Sequence, residues 1–400
     1  MIIGLIGKAN VGKSTFFNAA TELAVPSANY PFTTIEANVG VAYARSKCPC
    51  REFGVQCNPV HSMCIDGNRF APIKLIDVAG LVPGAHAGKG LGNKFLDDAR
   101  QADTLIHVVD ASGSTDSNGK TIPAGSGDPM FDIKFVEEEF DLWLAALVSR
   151  DWNKTSREAE NQGQKIEQML AKRLSGLAIK EHQVATALHA SGLAMKKPTV
   201  WTEQDILHFC QILRSKSKPF IIAANKADLP EAETNIEKMK KTGLTVIPCA
   251  SEAESMLKKA SRKGVVHYLP GDNNFDVKLG VALSAPQQKA IDLVKSLMEK
   301  YGSTGVQEAI NIACFKLLNL ITVYPVEDEF KLMDKKGNVL PDVRLLPAGS
   351  TAKDLAETIH ADLAKGFLYA VDARTKQRIG ADHKLNHGDV IKIVSAMSRG

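Results

Sequence analysis

Short apolar segments that each lead into a polar loop recur along the first two thirds of the chain. The segment 104–110 is apolar on both faces, as expected for a strand buried in a parallel sheet. A helical pattern at 15–20 follows the first segment after a short glycine-containing loop. The segments that we predict to be strands of one sheet are 1–6, 72–77, 104–110, 219–224 and 244–248.

A helical pattern interrupts the strand pattern between residues 131 and 215. Apolar residues recur at helical spacing over 132–149 and again over 162–177. Thr202 and Asp205 form a capping box that predicts the start of a third helix. We interpret the apolar stripes as the packing faces of an inserted helical bundle, in preference to a hairpin that binds a partner.

The last third of the chain changes from helices to short strands. Helical patterns cover 284–301 and 304–318, and Thr304 heads a capping box for the second of them. Strand patterns begin at Leu320, and Thr351 is placed to cap a helix among them. These features indicate a separate α+β domain at the end of the chain.

This order of elements divides the chain into four parts. We predict an α/β domain with a mostly parallel sheet from residues 1–130 and 216–275, with an inserted helical domain at 131–215. Connecting helices occupy 276–319, and the α+β domain covers 320–398. A length of 400 residues agrees with two or three domains.

Composition narrows the class of protein without identifying a partner. The net charge of +4 neither requires nor excludes nucleic acid, because a binding patch depends on how charge is arranged in space. No apolar run is long enough to cross a bilayer and the first predicted strand begins at Met1, so we expect a cytoplasmic protein without a membrane partner. The sequence does not determine the oligomeric state, and we take a monomer as the expectation.

Basic residues cluster at two places along the chain. One cluster lies at 258–263 and the other at 374–378. Such runs commonly serve solubility, so we interpret the first as a solvated helix face. For the second we favour a solvated hairpin turn over a nucleic-acid contact.

The segment GKANVGKS, directly after the first predicted strand and before a helix, predicts a phosphate-binding loop. Backbone N–H groups and the positive end of the helix would surround the anion, and Lys13 would add a positive charge. The Ser14 hydroxyl would bind Mg²⁺. The nucleotide-binding residues predicted here are Gly7, Lys8, Ala9, Asn10, Val11, Gly12, Lys13, Ser14 and Thr15.

Two further segments are spaced as the switches of a nucleotide hydrolase. In the first, Phe32, Thr33 and Thr34 are predicted to bind nucleotide, with Thr34 preferred as the Mg²⁺ ligand, although both threonines could be ordinary strand-edge residues. In the second, Asp77 would bind Mg²⁺ through water and the Gly80 N–H would contact the γ-phosphate.

The position of the usual catalytic glutamine holds apolar residues in this chain. Leu81 and Val82 follow the second switch motif, and neither can orient an attacking water. Hydrolysis must therefore use another polar group or an ion, or be slow. His86 is the nearest titratable side chain and our candidate catalytic residue, although it could equally be a solvent-facing loop residue.

The order N-K-x-D after the strand at 219–224 predicts a reader of guanine. The Asp228 carboxylate would accept hydrogen bonds from guanine N1 and its amino group, Asn225 would brace the loop, and the Lys226 stem would cover the ring. Adenine would meet the carboxylate with a lone pair, which penalises ATP. Ala250 and Ser251, after the next strand, are predicted to supply the backbone N–H for guanine O6.

Four of the seven cysteines, with one histidine among them, lie close together in the sequence. Cys48, Cys50, Cys57 and Cys64 could close a tetrahedral zinc site. Their spacing lacks the paired C-x-x-C turns of a standard zinc knuckle, so we favour free thiols on an exposed loop. An odd number of cysteines also argues against a disulfide framework.

With these motifs in order, the chain resembles the Obg superfamily of translation-factor-class P-loop GTPases, and most closely its archaeal YchF-like members. ANYPFTTI, DVAGLVPGAHAGKGLGNKFLDDAR and the helical insertion carry the resemblance. It implies GTP as substrate, Mg²⁺, hydrolysis without a glutamine, and a K⁺ ion held partly by Asn10. The C-terminal domain is similar to a TGS domain, a β-grasp fold associated with RNA and ribosomes.

The expected function is a slow Mg²⁺-dependent GTPase switch that works with ribosomes or structured RNA. The resembling YchF proteins of bacteria and eukaryotes have lost the guanine-reading lysine and aspartate and prefer ATP, whereas Lys226 and Asp228 are present here. One alternative is therefore an ATPase of ordinary YchF type. Another is a ribosome- or RNA-binding adaptor in which bound nucleotide only locks the conformation. Zinc-dependent nucleic-acid binding through the cysteines is the last of them.

Overall fold

The protein is described here from a computed structural model. The described residues are 1–22, 38–78, 80, 84, 100–177 and 179–396. The predictions that fall outside them concern Phe32, Thr33, Thr34, Leu81, Val82 and His86.

A seven-stranded mixed sheet forms the first domain within the described residues. Its order is β2-β4-β1-β5-β6-β7, and β3 pairs with β4. Every neighbouring pair from β4 to β7 is parallel, whereas β2 and β3 run antiparallel to β4. The strands are β1 Ile2–Ile6, β2 Val39–Lys47, β3 Met63–Ile65, β4 Asn68–Asp77, β5 Thr104–Asp110, β6 Phe220–Asn225 and β7 Val246–Pro248.

The parallel strands position the site because their carboxyl ends meet at one edge of the sheet. Residue 6 of β1 lies in register with His107 of β5, and Asp110 of β5 lies in register with Asn225 of β6. The polar loops that follow these strands therefore converge. Helices on both faces cover the buried strand residues, which confirms the predicted α/β class.

The helices of the chain begin and end as follows. They are α1 Lys13–Thr21, α2 Pro129–Ser149, α3 Trp152–Asn161, α4 Ile166–Arg173, α5 Glu181–Ala190, α6 Glu203–Ser217, α7 Ala232–Lys240, α8 Ser251–Arg262, α9 Ala285–Tyr301, α10 Val306–Ile312, α11 Ala352–Ile359 and α12 Ala361–Lys365. Among the described residues, every helix is too short or too polar to span a lipid bilayer.

The helical domain has its own core, formed by apolar side chains of α2 to α6. The Trp152 and Trp201 rings stack with their centroids 5.1 Å apart. Thr202 caps α6 as predicted, and its hydroxyl accepts from the Asp205 N–H at 3.2 Å. The helix predicted over 162–177 is present but shorter, since α4 covers Ile166–Arg173 and a separate helical turn follows at Ser175–Leu177.

The C-terminal domain is a five-stranded sheet with α11 packed on it, as predicted. Its order is β11-β10-β14-β12-β13, and β10 and β14 are its parallel pair. The strands are β10 Leu320–Val326, β11 Arg344–Pro347, β12 Phe367–Asp372, β13 Arg378–Ile379 and β14 Asp389–Ser395, and a separate two-stranded ribbon pairs β8 Val266–His267 with β9 Asp276–Val277. The domain boundaries proposed from the sequence stay a prediction.

A buried network around Glu254 contradicts two predictions from the sequence, the Thr304 cap and the solvated basic cluster at 258–263. The Thr304 hydroxyl donates to the Glu254 carboxylate, so Gly305 is the N-cap of α10 and the predicted Thr304 cap was wrong. Lys258 is buried, donates to the Ala19 carbonyl and pairs with Glu254 at 3.2 Å. The cluster at 258–263 is therefore not a wholly solvated face.

Candidate functional site

The loop between β1 and α1 has the geometry of a phosphate cradle. Gly12 is the N-cap of α1 with a φ of 89°, and Asn10 also has a positive φ of 62°. No described side chain caps the first turn of this helix. Its N–H groups therefore face the mouth of the loop with the positive end of the helix dipole, an arrangement suited to an anion.

Asn225 ties this loop to the neighbouring strand ends. Its side-chain N–H donates to the Val11 carbonyl at 3.0 Å, and its Oδ1 accepts from the Ser251 hydroxyl at 2.8 Å. A Cβ on Gly12 would lie 2.3 Å from Asn225 Nδ2, so only glycine fits there. The phosphate loop and the N-K-x-D segment are thus one connected unit.

Lys13, Ser14 and Asp77 lie together at the mouth of the loop. Asp77 accepts from Lys13 Nζ at 2.8 Å and from the Ser14 hydroxyl at 2.9 Å. A hydroxyl and a carboxylate at this spacing are hard oxygen donors of the kind that Mg²⁺ prefers. The residues therefore fit the predicted magnesium site, and Gly80 lies close to the same loop, since a Cβ built on it would be 3.4 Å from Ala9 N.

The side chain of Lys8 points into the protein and not toward a phosphate. It is buried and pairs with Asp132 of α2 at 2.7 Å. Only its backbone can therefore belong to the cradle. No sequence pattern indicated this pair, because its members are 124 residues apart and become neighbours only on folding.

The loop at 112–128 covers part of the phosphate loop. The Asn10 side-chain amide donates to the Gly119 carbonyl at 2.8 Å. A Cβ on Gly119 would lie 2.8 Å from Ala9, so the two backbones are in close contact. This contact joins residues more than 100 positions apart, so no local sequence pattern indicated it.

Asp110, at the end of β5, positions the lysine of the N-K-x-D segment. Its carboxylate accepts from Lys226 Nζ at 2.9 Å and from the hydroxyls of Ser112 and Ser114. Burial alone would raise the pKa of Asp110, but these hydrogen bonds and the lysine charge bring it below its ordinary value. Asp110 was not among the predicted site residues, although its place at the end of a predicted strand was an available signal.

The segment after β7 is already hydrogen-bonded within the chain. The Ala250 N–H donates to the Thr304 carbonyl at 2.9 Å, and the Ser251 N–H donates to Asn225 Oδ1 at 3.2 Å. Both amides predicted to hold guanine O6 therefore have acceptors in this structure. Asp228, by contrast, is exposed on the turn after β6.

The four cysteines come together despite their irregular spacing. Their sulfur atoms all lie within 4.8 Å of one another. Cys48 and Cys50 are buried, and Cys57 and Cys64 are half-buried. The expected exposed loop was therefore wrong, because the segment folds back on itself and packs against the C-terminal domain.

Comparison with known protein families identifies the class that these features define. Residues 2–130 match the profile described as 50S ribosome-binding GTPase, and residues 223–328 match that of the Obg-like GTPase YGR210-like, G4 motif-containing domain. Residues 335–395 match the TGS domain. The chain belongs to the YchF-like Obg family of GTPases, as the resemblance predicted.

Individual relatives cover nearly the whole chain. An uncharacterized GTP-binding protein of Methanocaldococcus jannaschii is 51% identical over 99% of both chains. The solved structure of a GTP binding protein from Pyrococcus horikoshii is 41% identical, covers 99% of this chain and 100% of its own, and superposes with a TM-score of 0.77. The ribosome-binding ATPase YchF of Bacillus subtilis is 28% identical over 92% of this chain and 87% of its own.

Proposed function

We propose that the protein hydrolyses GTP to GDP and phosphate as a Mg²⁺-dependent switch that acts on ribosomes or structured RNA in the cytoplasm. The observation that carries the proposal is the connection between the two halves of the site. Asn225 bonds the phosphate loop at Val11, and the same turn presents Asp228 to solvent at the strand edge. One nucleotide can therefore contact both segments, and its base would be read by a carboxylate.

Each residue has one role in this proposal. Lys13 and the loop amides neutralise the phosphates, and Ser14, Asp77 and Thr34 hold Mg²⁺, with Asp77 acting through water. Bound magnesium supplies charge neutralisation at the phosphates. Asp228 then selects guanine, while Asp110 holds Lys226 in place.

The ribosome is proposed as partner because the YchF relative of Bacillus subtilis is named a ribosome-binding ATPase. We expect slow GTP turnover alone and an increase of about tenfold or more with ribosomes, because a partner can supply the polar group that Leu81 and Val82 lack. Phosphate release measured with and without ribosomes tests this. Negligible turnover in both conditions would instead favour the nucleotide-locked adaptor.

The name of that relative also supports a second candidate function, ATP hydrolysis. The two candidates differ at one contact, since an ATPase requires that Asp228 does not face the base.

His86 remains the candidate catalytic residue, and a His86→Ala variant would keep its nucleotide affinity and lose turnover under this proposal.

Exchange of K⁺ for Na⁺ is expected to lower GTP turnover by about tenfold, because a correctly placed cation stabilises charge that develops between the phosphates. Asn10 lies at the loop mouth, where its side chain contacts Gly119. Turnover should be measured in KCl and NaCl at equal ionic strength. An Asn10→Ala variant should be slow in both salts, whereas equal rates for the unmodified protein would contradict a potassium site.

A further inference from the structure

The four cysteine sulfurs lie as close together as the ligands of a tetrahedral metal site. Cys48 Sγ lies 3.9 Å from Cys57 Sγ, and Cys50 Sγ lies 3.8 Å from Cys64 Sγ. Zn–S bonds of about 2.3 Å in a tetrahedral site require sulfurs about 3.8 Å apart. A disulfide would require about 2.05 Å, so neither pair is bonded.

The backbone around the cysteines holds this arrangement. The cysteine loop, residues 48–64, begins where β2 ends, and the Cys48 N–H donates to the Gly67 carbonyl at 2.9 Å. The Val55 N–H closes a turn on the Cys50 carbonyl at 3.0 Å. Cys64 lies in β3, so the pairing of β3 with β4 fixes the last sulfur. The sheet and the hydrogen-bonded turn therefore restrain the backbone at Cys48, Cys50 and Cys64.

A buried arginine supplies a second, independent observation. Arg69 of β4 is fully buried, and its guanidinium donates to Cys48 Sγ at 3.4 Å, to Ser62 Oγ and to the Leu340 carbonyl. None of these acceptors is a carboxylate. Arg69 Nε has no hydrogen-bond acceptor among the described residues. Burial of a guanidinium is costly unless an anion compensates it.

Four thiolates and one divalent zinc carry a formal net charge of −2. Such a centre beside Arg69 supplies the anion that the guanidinium requires, and the N–H···S contact with Cys48 is a typical outer contact of a zinc thiolate. Neutral thiols would leave the Arg69 charge facing only polar acceptors and the Tyr324 ring, whose centroid lies 5.2 Å from the guanidinium. The arginine therefore favours metal-bound thiolates over the free thiols that the sequence spacing favoured.

The cysteine loop also docks on the C-terminal domain. The Asn58 N–H donates to the Val339 carbonyl at 3.1 Å, and the Val60 N–H donates to the Pro341 carbonyl at 2.8 Å. These backbone contacts join residues far apart in sequence. They place the four sulfurs between the nucleotide-binding domain and the C-terminal sheet.

An ion pair at the edge of the loop strengthens this contact. The Arg374 guanidinium binds both Glu52 oxygens, at 2.6 and 2.9 Å, and its centre lies 5.7 Å from the Phe53 ring centroid. The basic run at 374–378 is thus partly engaged within the protein. A metal that orders the cysteine loop would consequently also fix the position of the C-terminal domain.

We propose that Cys48, Cys50, Cys57 and Cys64 bind one structural zinc ion, and that this zinc fastens the cysteine loop to the C-terminal domain. On binding, the four thiols release their protons to solvent and the zinc forms four Zn–S bonds. The site takes no part in nucleotide chemistry and stands independently of the proposed function.

The first test is the metal content of the full chain purified without chelators, measured by emission spectroscopy. We expect about one zinc per chain. A Cys57→Ser variant should lose most of the zinc, whereas Cys210→Ala, which removes a buried thiol of the helical domain, should keep it. Less than about a tenth of an equivalent in the unmodified protein, even after refolding with zinc, would overturn the proposal, as would iron in its place.

The second test measures the stability of the protein and the protease sensitivity of the cysteine loop after zinc is removed. Removal of zinc by 1,10-phenanthroline should lower the melting temperature by about 5 to 10 °C, because ligand binding to the native state alone stabilises it. Protease should then cleave within the cysteine loop. Added zinc should reverse both effects, and an unchanged melting temperature after proven zinc removal would overturn the fastening role.

Discussion

A Lys13→Ala variant is expected to bind GTP about 100-fold more weakly than the unmodified protein. Lys13 is nearly buried, and its ammonium lies 2.8 Å from Asp77 at the mouth of the phosphate loop. A charge-assisted hydrogen bond to phosphate in such a place contributes about 3 kcal/mol, which corresponds to about two powers of ten in affinity. Calorimetric titration of GTP in the presence of Mg²⁺ measures the change.

Lys259→Ala is the matched control for this variant. Lys259 is exposed on α8 and lines the groove that also contains Thr15 of α1, so it carries the same charge near the same end of the sheet. We expect its GTP affinity to stay within about threefold, because exposed charges are screened by salt. Equal losses in the two variants would mean that general positive charge, and not the phosphate loop, binds the nucleotide.

An Asp228→Asn variant is expected to lose GTP affinity by about 100-fold and to gain affinity for xanthosine triphosphate. The Asp228 carboxylate can accept two hydrogen bonds from guanine, whereas an asparagine amide presents one donor that faces the guanine amino group. Xanthine has a carbonyl at that position and accepts from the amide. Competition titrations with the two triphosphates measure the exchange.

This variant is well suited to the test because Asp228 is exposed, so the substitution should leave the fold intact. Unchanged melting temperature without nucleotide is the control for folding. Asp116→Asn is the matched substitution, since Asp116 lies in the loop at 112–128 and bonds only backbone N–H groups in the described structure. GTP affinity that stays the same in Asp228→Asn would show that this carboxylate does not read the base.

The parts of the fold that the sequence predicted are those coded by neighbouring residues. The phosphate loop is set by glycines with positive φ between one strand and one helix, and the Thr202 and Thr351 caps depend on partners three residues away. The parallel sheet follows from continuous apolar runs. Each of these signals lies within about ten residues, where sequence spacing largely determines geometry.

The features that the sequence analysis missed depend on contacts across the fold. Thr304 has the sequence of a cap, but Glu254 competes for its hydroxyl and is buried beside it. Lys8 lies in the phosphate-loop motif, but its side chain forms an ion pair with Asp132 of α2. In both cases the local motif predicted the wrong side-chain partner. A buried charge or polar group is costly without a partner, so it pairs with one from a distant part of the chain.

For the cysteines, the local spacing argued against a site that the fold brings together. Their spacing matches no standard zinc motif, yet β3 pairing and the turn at Cys50 bring the four sulfurs within 4.8 Å. The buried Arg69 that supports a metal centre lies on β4, outside the cysteine segment. No pattern confined to residues 48–64 could have revealed that contact.

The central claim, that Asp228 makes this protein select guanine, is tested most directly by titration of labelled GTP and ATP. The purified protein should be titrated with each nucleotide in Mg²⁺, in KCl and then in NaCl. We expect GTP to bind at least about 100-fold more tightly than ATP, because adenine meets the carboxylate with a lone pair. Equal or tighter binding of ATP would contradict the account and assign the protein to ATP hydrolysis.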